Sequence, residues 1–303
     1  MEIGVCVASH IGDLGYAVRA EELGYASLWF ADSQMIWSDC YATLALAADR
    51  TSRIRLGTGV AVSGTRPAPV TAAAIGTINA LAPGRTFLGI GAGNTAMRIM
   101  GRKPHRIAEF DRYLAELKPL LAGEEAEVRF GDTTRPIRHI MPDQGFVDFD
   151  HPIPMYVSGF GPRVPRPRRT ARDGAVLGWP PTEGILRRFL GMIEAGAEEA
   201  GRNLEWSRFP TTALTTISVL DPGETLDSPR IRAECGAMAI ASLHYAYDSW
   251  RQLGQRPPKA VEDVWEDYCA MLDRVPAERL HQRVHAGHNC HVLPEEERFV
   301  TPR

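Results

Sequence analysis

Apolar positions in the first third of the chain follow two alternating rhythms. Short continuous runs of β-branched and apolar residues lie at 3–8, 27–31, 54–62 and 86–91. Each is followed by a segment with apolar residues at helical spacing, at 14–23, 40–49, 66–82 and 107–121. Continuous apolar runs fit strands covered on both faces, and helical spacing fits helices packed against them. A strand–helix unit recurs about every 30 residues, which predicts a parallel sheet with right-handed crossovers. Punctuation agrees with the rhythm. Gly24 and Gly123 stand just past two predicted helices, and Asp39 stands where it can cap the helix 40–49.

The rhythm breaks at 124–151, a polar, proline-containing stretch with weak alternation that predicts a loop or small hairpin. Insertions of this length are often lids or pocket walls. Strands then recur at 154–158, 174–179 and 211–220, with a helix at 182–200 and two more at 228–254 and 260–285, split by Pro257-Pro258. A closed (β/α)8 barrel needs one more strand. In 286–303 only 289–293 is a candidate, so either this run closes the sheet or the chain lacks its C-terminal end, and the second is expected. The pattern predicts an α/β fold: a TIM-type (β/α)8 barrel with an insertion after the fourth βα unit and a last strand that is missing or rudimentary. Residues 1–303 then form one barrel domain with an insertion at 124–151 and a helical region at 228–285.

Composition adds exclusions. At 44% apolar and 23% charged the chain is ordinary for a globular protein. A net charge of -3 gives no footprint for nucleic acid. No apolar run reaches the roughly 18–20 residues of a membrane span. The N-terminus runs directly into a strand without a basic leader, so no signal peptide is expected. Five scattered cysteines form no CxxC and fit reduced thiols in the cytoplasm.

Candidate chemistry sits where strands end. In a parallel sheet the C-terminal strand ends line the ligand face, and glycines there let a ligand approach the backbone. Asp32-Ser33 ends the second strand, and Gly91-Ala92-Gly93-Asn94 ends the fourth. The latter is not GxGxxG, so no nicotinamide-type dinucleotide site is implied. His10 follows the first strand on the same face. Ser158, Gly159, Gly161 and Arg163 follow the fifth strand, where backbone N–H groups and a guanidinium suit a phosphate. Arg166, Arg168, Arg169 and Arg172 extend that basic run, which reads equally as a solvated helix face. Trp179 ends the sixth strand, as a stacking residue or a core tryptophan. His281, His285, His288 and His291, with Cys290, invite a metal reading, and the first two are spaced i, i+4. No HExxH partner accompanies them, and no metal is expected.

Several segments together resemble the luciferase-like flavin-dependent oxidoreductases, the family of bacterial luciferase and of reductases that use the deazaflavin coenzyme F420. They are AEELGYASLWFADS (20–33), TSRIRLGTGV (51–60), RPAPVTAAAIGTINALAPGRTFLGIGAG (66–93), IPMYVSGFGPR (153–163) and DGAVLGW (173–179). GTGV and GIGAGNTA look most like the methylenetetrahydromethanopterin reductase branch. The resemblance implies a (β/α)8 barrel that holds F420, or alternatively FMN, at its C-terminal face, and a hydride transfer to or from a small organic substrate. The FMN alternative is a monooxygenase, and a non-catalytic flavin-binding relative is the alternative of another class. It places a non-proline cis peptide at Gly59–Val60 behind the ring. It implies cofactor contacts from Asp32, Thr58, Gly59, Val60, Gly91, Ala92, Gly93, Asn94, Ser158, Gly159, Gly161, Arg163 and Trp179. Catalytic candidates are Asp32, Ser33 and His10, and Met35, Trp37 and His288 are candidates for the substrate pocket. The chain departs from the family in having Ser33 where many F420-dependent relatives have histidine, and in Pro165 and Pro167 within a usually regular helix. A cytoplasmic homodimer is expected by the same resemblance.

Overall fold

A computed structural model of the chain describes residues 1–159, 173–178, 182–201 and 203–301. The first part runs β1 (Gly4–Val7), α1 (Gly15–Glu22), β2 (Ser27–Phe30), α2 (Cys40–Arg50), β3 (Arg55–Val62), α3 (Ala68–Leu81), β4 (Thr86–Gly91), α4 (Asn94–Ile99) and α5 (Ile107–Leu121). A hairpin follows, β5 (Ala126–Phe130) and β6 (Thr133–Ile137), then β7 (Met155–Ser158), β8 (Gly174–Leu177), α6 (Glu183–Glu199) and β9 (Thr211–Ala213). The last part contains α7 (Pro229–Leu253), α8 (Glu262–Leu272) and α9 (Leu280–Arg283).

Seven parallel strands make one sheet in the order β1-β2-β3-β4-β7-β8-β9, the order of a (β/α)8 barrel through seven strands. Among the described residues no eighth strand pairs with either edge, and residues 289–293 lie in turn and coil. The predicted strand 211–220 shortens to Thr211–Ala213, because β9 has a partner only on its β8 side. Ile217 and Val219 beyond it are 78% and 79% exposed: alternation alone, without a neighbouring strand, does not hold an extended segment in a sheet.

The two strand faces have different contents. Leu28, Phe30, Leu56, Leu88, Ile90, Met155 and Val157 point outward and share a core with Leu44, Ile75, Ile78, Phe110, Leu114 and Leu117 of the helices. Burial of each such side chain contributes about 1.5–3 kcal/mol. The inward positions carry Trp29, Phe87, Tyr156 and Val176, a separate aromatic cluster with Trp29 and Phe87 ring centroids 4.3 Å apart. Glycine beside these rings makes the filling work: a Cβ on Gly89 would stand 3.0 Å from the Trp29 ring.

The segment 124–151 forms the predicted hairpin, but it docks on the outer helices. Ala126 and Val128 join the main core, Arg129 donates its backbone N–H to Glu116 of α5 at 3.2 Å, and Asn79 of α3 donates to the carbonyls of Asp148 and His151. Ala126 and Val128 of the hairpin are buried against that helical layer, so the expected lid becomes an extension of it.

Two compact units divide the chain. One comprises Met1–Met97 and Lys103–Thr215 and holds the sheet. The other comprises Arg98–Arg102 and Thr216–Arg303 and has its own core of Ile240, Leu243, Tyr247, Tyr268, Leu272, Val284 and Phe299. No helix among the described residues is long and apolar enough to cross a membrane.

Candidate active site

The strand β3 changes character near its end. Its register with β4 shifts between Thr58 and Ala61, and the Gly59–Val60 peptide is cis, at the position the resemblance implies. Thr58 is buried and its hydroxyl donates to the Gly89 carbonyl at 2.6 Å, which fastens the bulge from behind. Gly59 and Val60 are half-buried while Thr58 and Ala61 on either side are buried, so the bulge faces open space. A Cβ on Gly59 would lie 2.8 Å from the Trp29 Cβ, and only glycine fits. Val60 covers the bare inner face of β4: Cβ atoms on Gly89 and Gly91 would each stand 3.1 Å from one of its methyls. Gly93 has φ +86, a left-handed conformation suited to glycine, and turns the chain into Asn94. The result is a half-buried apolar position at Val60 bordered by glycine backbone.

Asp32, just past β2, is buried behind this rim. One carboxylate oxygen accepts from the Arg66 guanidinium at 2.8 Å and from the Val62 N–H at 3.3 Å, and the other accepts from Gln34 at 2.6 Å. Arg66 also reaches Asp39 at 2.7 Å and lies over the Tyr41 ring, 4.8 Å from its centroid. Asp39 meanwhile caps α2 by accepting from the N–H groups of Tyr41 and Ala42, as its position predicts. One arginine therefore ties the ends of β2 and β3 to the start of α2. Burial pushes the Asp32 carboxyl up, and Arg66, Cys40 and the Val62 N–H only partly counter it. Burial opposes the charge on Arg66, but Asp32 outweighs it and holds the guanidinium charged. With its side chain 2% exposed and both oxygens engaged, Asp32 is placed to shape the rim rather than to reach a ligand.

A second polar pair lies between β3 and β4. Ser63 is buried, its N–H donates to the Gly91 carbonyl, and its hydroxyl lies 3.0 Å from His105 Nδ1. The His105 N–H donates to the Ala92 carbonyl at 3.1 Å. This pair was not anticipated from sequence. Ser63 immediately follows an apolar strand, which is the signal that marked Asp32, but His105 sits in an irregular segment with no motif around it.

The other expected residues are distributed unevenly. His10 is exposed, Ser33 and Trp37 are half-buried, and Met35 is 85% exposed with φ +68 in the turn after β2. Ser158 is buried at the end of β7, close to Gly91, and Gly159 is half-buried. Gly161, Arg163, Arg166, Arg168, Arg169, Arg172 and Trp179, with Pro165 and Pro167, lie outside the described residues. His288 belongs to the second unit, where it is buried beside His244 and His285. Asp32, Gly59, Val60 and Gly91–Asn94 are thus gathered on one rim, together with Ser63, Arg66 and His105.

Residues 12–295 match the model of the luciferase-like monooxygenase family. The chain belongs to that family. As a luciferase-like protein it is an oxidoreductase enzyme at family level. It is 31% identical over 197 residues to a 5,10-methylenetetrahydromethanopterin reductase of Methanolobus tindarius, covering 62% of this chain and 56% of the reductase. It is 30% identical over 316 aligned positions to an F420-dependent glucose-6-phosphate dehydrogenase of Kribbella flavida, covering 94% of this chain and 90% of that enzyme. The fold is shared with the coenzyme F420-dependent tetrahydromethanopterin reductase of Methanopyrus kandleri, at a TM-score of 0.62 and 20% identity over 92% of this chain and 84% of that one. It is shared too with an FMN-bound type II Baeyer–Villiger monooxygenase of Pseudomonas putida, at a TM-score of 0.58 and 18% identity over 93% of this chain and 82% of that one. Both F420-dependent and FMN-bound enzymes are among the relatives, so the family calls for a deazaflavin or a flavin. The rim fits such a ring: it offers the apolar Val60 side chain, half-buried backbone at Gly59, and no side chain at Gly91 beside Val60.

Proposed function

We propose that this luciferase-like protein binds coenzyme F420 and transfers a hydride between the deazaflavin ring and a small organic substrate. The observation that carries this reading is the half-open Gly59–Val60 bulge in an otherwise buried strand, bordered by the bare glycines of β4. The similarity to F420-dependent relatives along most of the chain supports F420 over FMN. Bound F420 supplies a hydride donor or acceptor at its ring carbon C5, and the protein holds and orients it. Val60 and the Gly59 backbone back one ring face, and Gly91, Ala92, Gly93 and Asn94 border the cofactor's side chain. Ser158 and Gly159 present the start of a phosphate site. Asp32 is a positioning residue that acts through Arg66 and Val62. Ser63 and His105 form a hydroxyl–imidazole pair able to hold or move a proton at the rim. Met35 and Trp37 lie on the substrate side.

The test is to dialyse the purified chain against F420 and FMN separately, read retained absorbance, and then assay turnover against alcohols and sugar phosphates. Retention of F420 with oxidation of one substrate class is expected. Retention of neither cofactor overturns the reading. FMN retention with oxygen uptake replaces it with monooxygenation, and F420 retention without turnover leaves a binding protein.

A further inference from the structure

The second unit contains a polar arrangement to which the proposed function assigns no role. His244 lies on α7, and His285 and His288 lie on the turn that follows α9. All three are buried, at 1%, 3% and 3% exposure, and one ring nitrogen from each lies within 4.8 Å of the others. Buried imidazoles crowded together are costly unless each nitrogen has a partner. The partners are distributed in a particular way. His285 Nε2 donates to Asp248 at 3.0 Å, and His244 Nε2 lies 3.4 Å from Glu296. A carboxylate on Nε2 fixes the neutral tautomer with a bare lone pair on Nδ1. Nδ1 of His244 and Nδ1 of His285 are buried and have no hydrogen-bond partner. His288 Nε2 lies 3.4 Å from the Tyr245 hydroxyl and 3.2 Å from the Asn289 amide.

The carboxylates behind the histidines are themselves neutralised. Asp248 pairs with Arg98 at 3.4 Å, and Glu296 pairs with Arg283 at 2.9 Å. The cluster therefore presents three imidazoles, two of them backed by charge-paired carboxylates, with Oε2 of Glu296 buried and without a hydrogen-bond partner. Neutral imidazole backed by a carboxylate is the usual form of a metal-ligating histidine. His244 and His285 have that form, and with His288 as a third imidazole and an open fourth position the set suits Zn2+. Zn–N bonds of about 2.0–2.1 Å put tetrahedral nitrogens about 3.3 Å apart, so the rings need to close by about 1.5 Å at most.

We propose that His244, His285 and His288 form a binding site for a Zn2+-class divalent metal ion, with His244 and His285 ligating through Nδ1. The sequence drew attention instead to His281, His285, His288, His291 and Cys290, from local spacing. The fold selects two of those and adds a histidine about 40 residues upstream on α7, because the turn after α9 and the long helix share the core of the second unit.

The test uses the full-length chain, stripped with chelator and dialysed against Zn2+ alone. Stoichiometric uptake by the wild-type chain is expected, with H244Q, H285Q and H288Q each losing it. D248N should weaken binding about 10–100-fold, since it removes only the carboxylate behind His285. H281Q, H291Q and C290S should bind as the wild type does. Because a histidine variant can fail to fold, Co2+ is added to the wild-type chain in parallel. A visible d–d spectrum without a thiolate charge-transfer band supports the three-imidazole site. Uptake by a folded H244Q/H285Q chain equal to that of the wild type overturns the proposal. So does a thiolate band that disappears in C290S, and so does no uptake at all.

Discussion

The rim at the end of β3 and β4 and the histidine cluster of the second unit are built on opposite principles. The rim is shaped by side chains that are missing. Gly59, Gly89 and Gly91 let Trp29, Val60 and the β3 backbone pack where a side chain would clash, and the buried Asp32 carboxylate is bound by Arg66. The cluster is shaped by side chains that converge. Three imidazoles, two carboxylates and two arginines from separate segments meet in a buried setting. A surface made by omission is open and tolerates a large planar ligand. A site made by convergence is closed, and each member depends on the others for its hydrogen bonds. The first therefore suits a cofactor that enters and leaves, and the second suits a small ion.

Replacing Glu296 breaks this contrast most severely. E296Q leaves Arg283 and His244 without their fully buried carboxylate and should cost about 3 kcal/mol in urea unfolding, as expected for a broken buried pair. Unchanged stability would mean that the members of the cluster do not depend on one another. At the rim, R66M strands the buried Asp32 carboxylate but leaves it the Val62 N–H and Gln34, so the expected loss is smaller, about 2 kcal/mol. The same variant should also weaken F420 binding if the pair sets the shape of the rim; unaltered binding would separate Asp32 from the site.

G91V tests omission directly. A Cβ there stands 3.1 Å from a Val60 methyl and 3.7 Å from the Ser158 Cβ, so the larger side chain must project into the open space. An affinity for F420 about 10-fold lower, with a stability change near 1 kcal/mol, is expected from a modest overpacking. Equal affinity would move the cofactor off this rim.

The smallest effect lies outside both regions and calibrates them. Glu21 on α1 accepts from the N–H groups of Ser52, Arg53 and Ile54, the last two at 2.6 and 2.8 Å. Burial raises its carboxyl, but these backbone donors outweigh it and hold it below the usual carboxylate range. A depressed carboxyl contributes stability that is present above its unfolded value and lost as pH falls through the folded one. E21Q should therefore cost about 1 kcal/mol at pH 7 and flatten the loss of stability below about pH 4.5. Identical acid unfolding of variant and wild type would remove Glu21 from the account.

Local elements were readable because their causes are local. The helix at 107–121 coincides with α5, and Asp39 does cap α2, since periodicity and capping depend on residues within a turn or two. The strand at 211–220 was overread, because β-branched alternation states a preference and only a neighbouring strand satisfies it. The hairpin was legible, and its docking on α3 and α5 was not. In the site, Asp32 and the glycines of β3 and β4 stood out by their place at strand ends. Arg66, Ser63 and His105 did not, because each becomes informative only through a partner: Asp32 lies 34 residues from Arg66, and Ser63 lies 42 from His105.

The sequence by itself determined the parallel strand–helix order, the glycine-lined ends of β3 and β4, and through its segments the luciferase-like family. Tertiary structure decided which charges face one another and which histidines meet. The physical reason is range. Backbone preference and hydrophobic period act over a few residues and are written in consecutive letters. A buried ion pair or a triad of imidazoles is defined by distances between side chains far apart in the chain, and only packing fixes those.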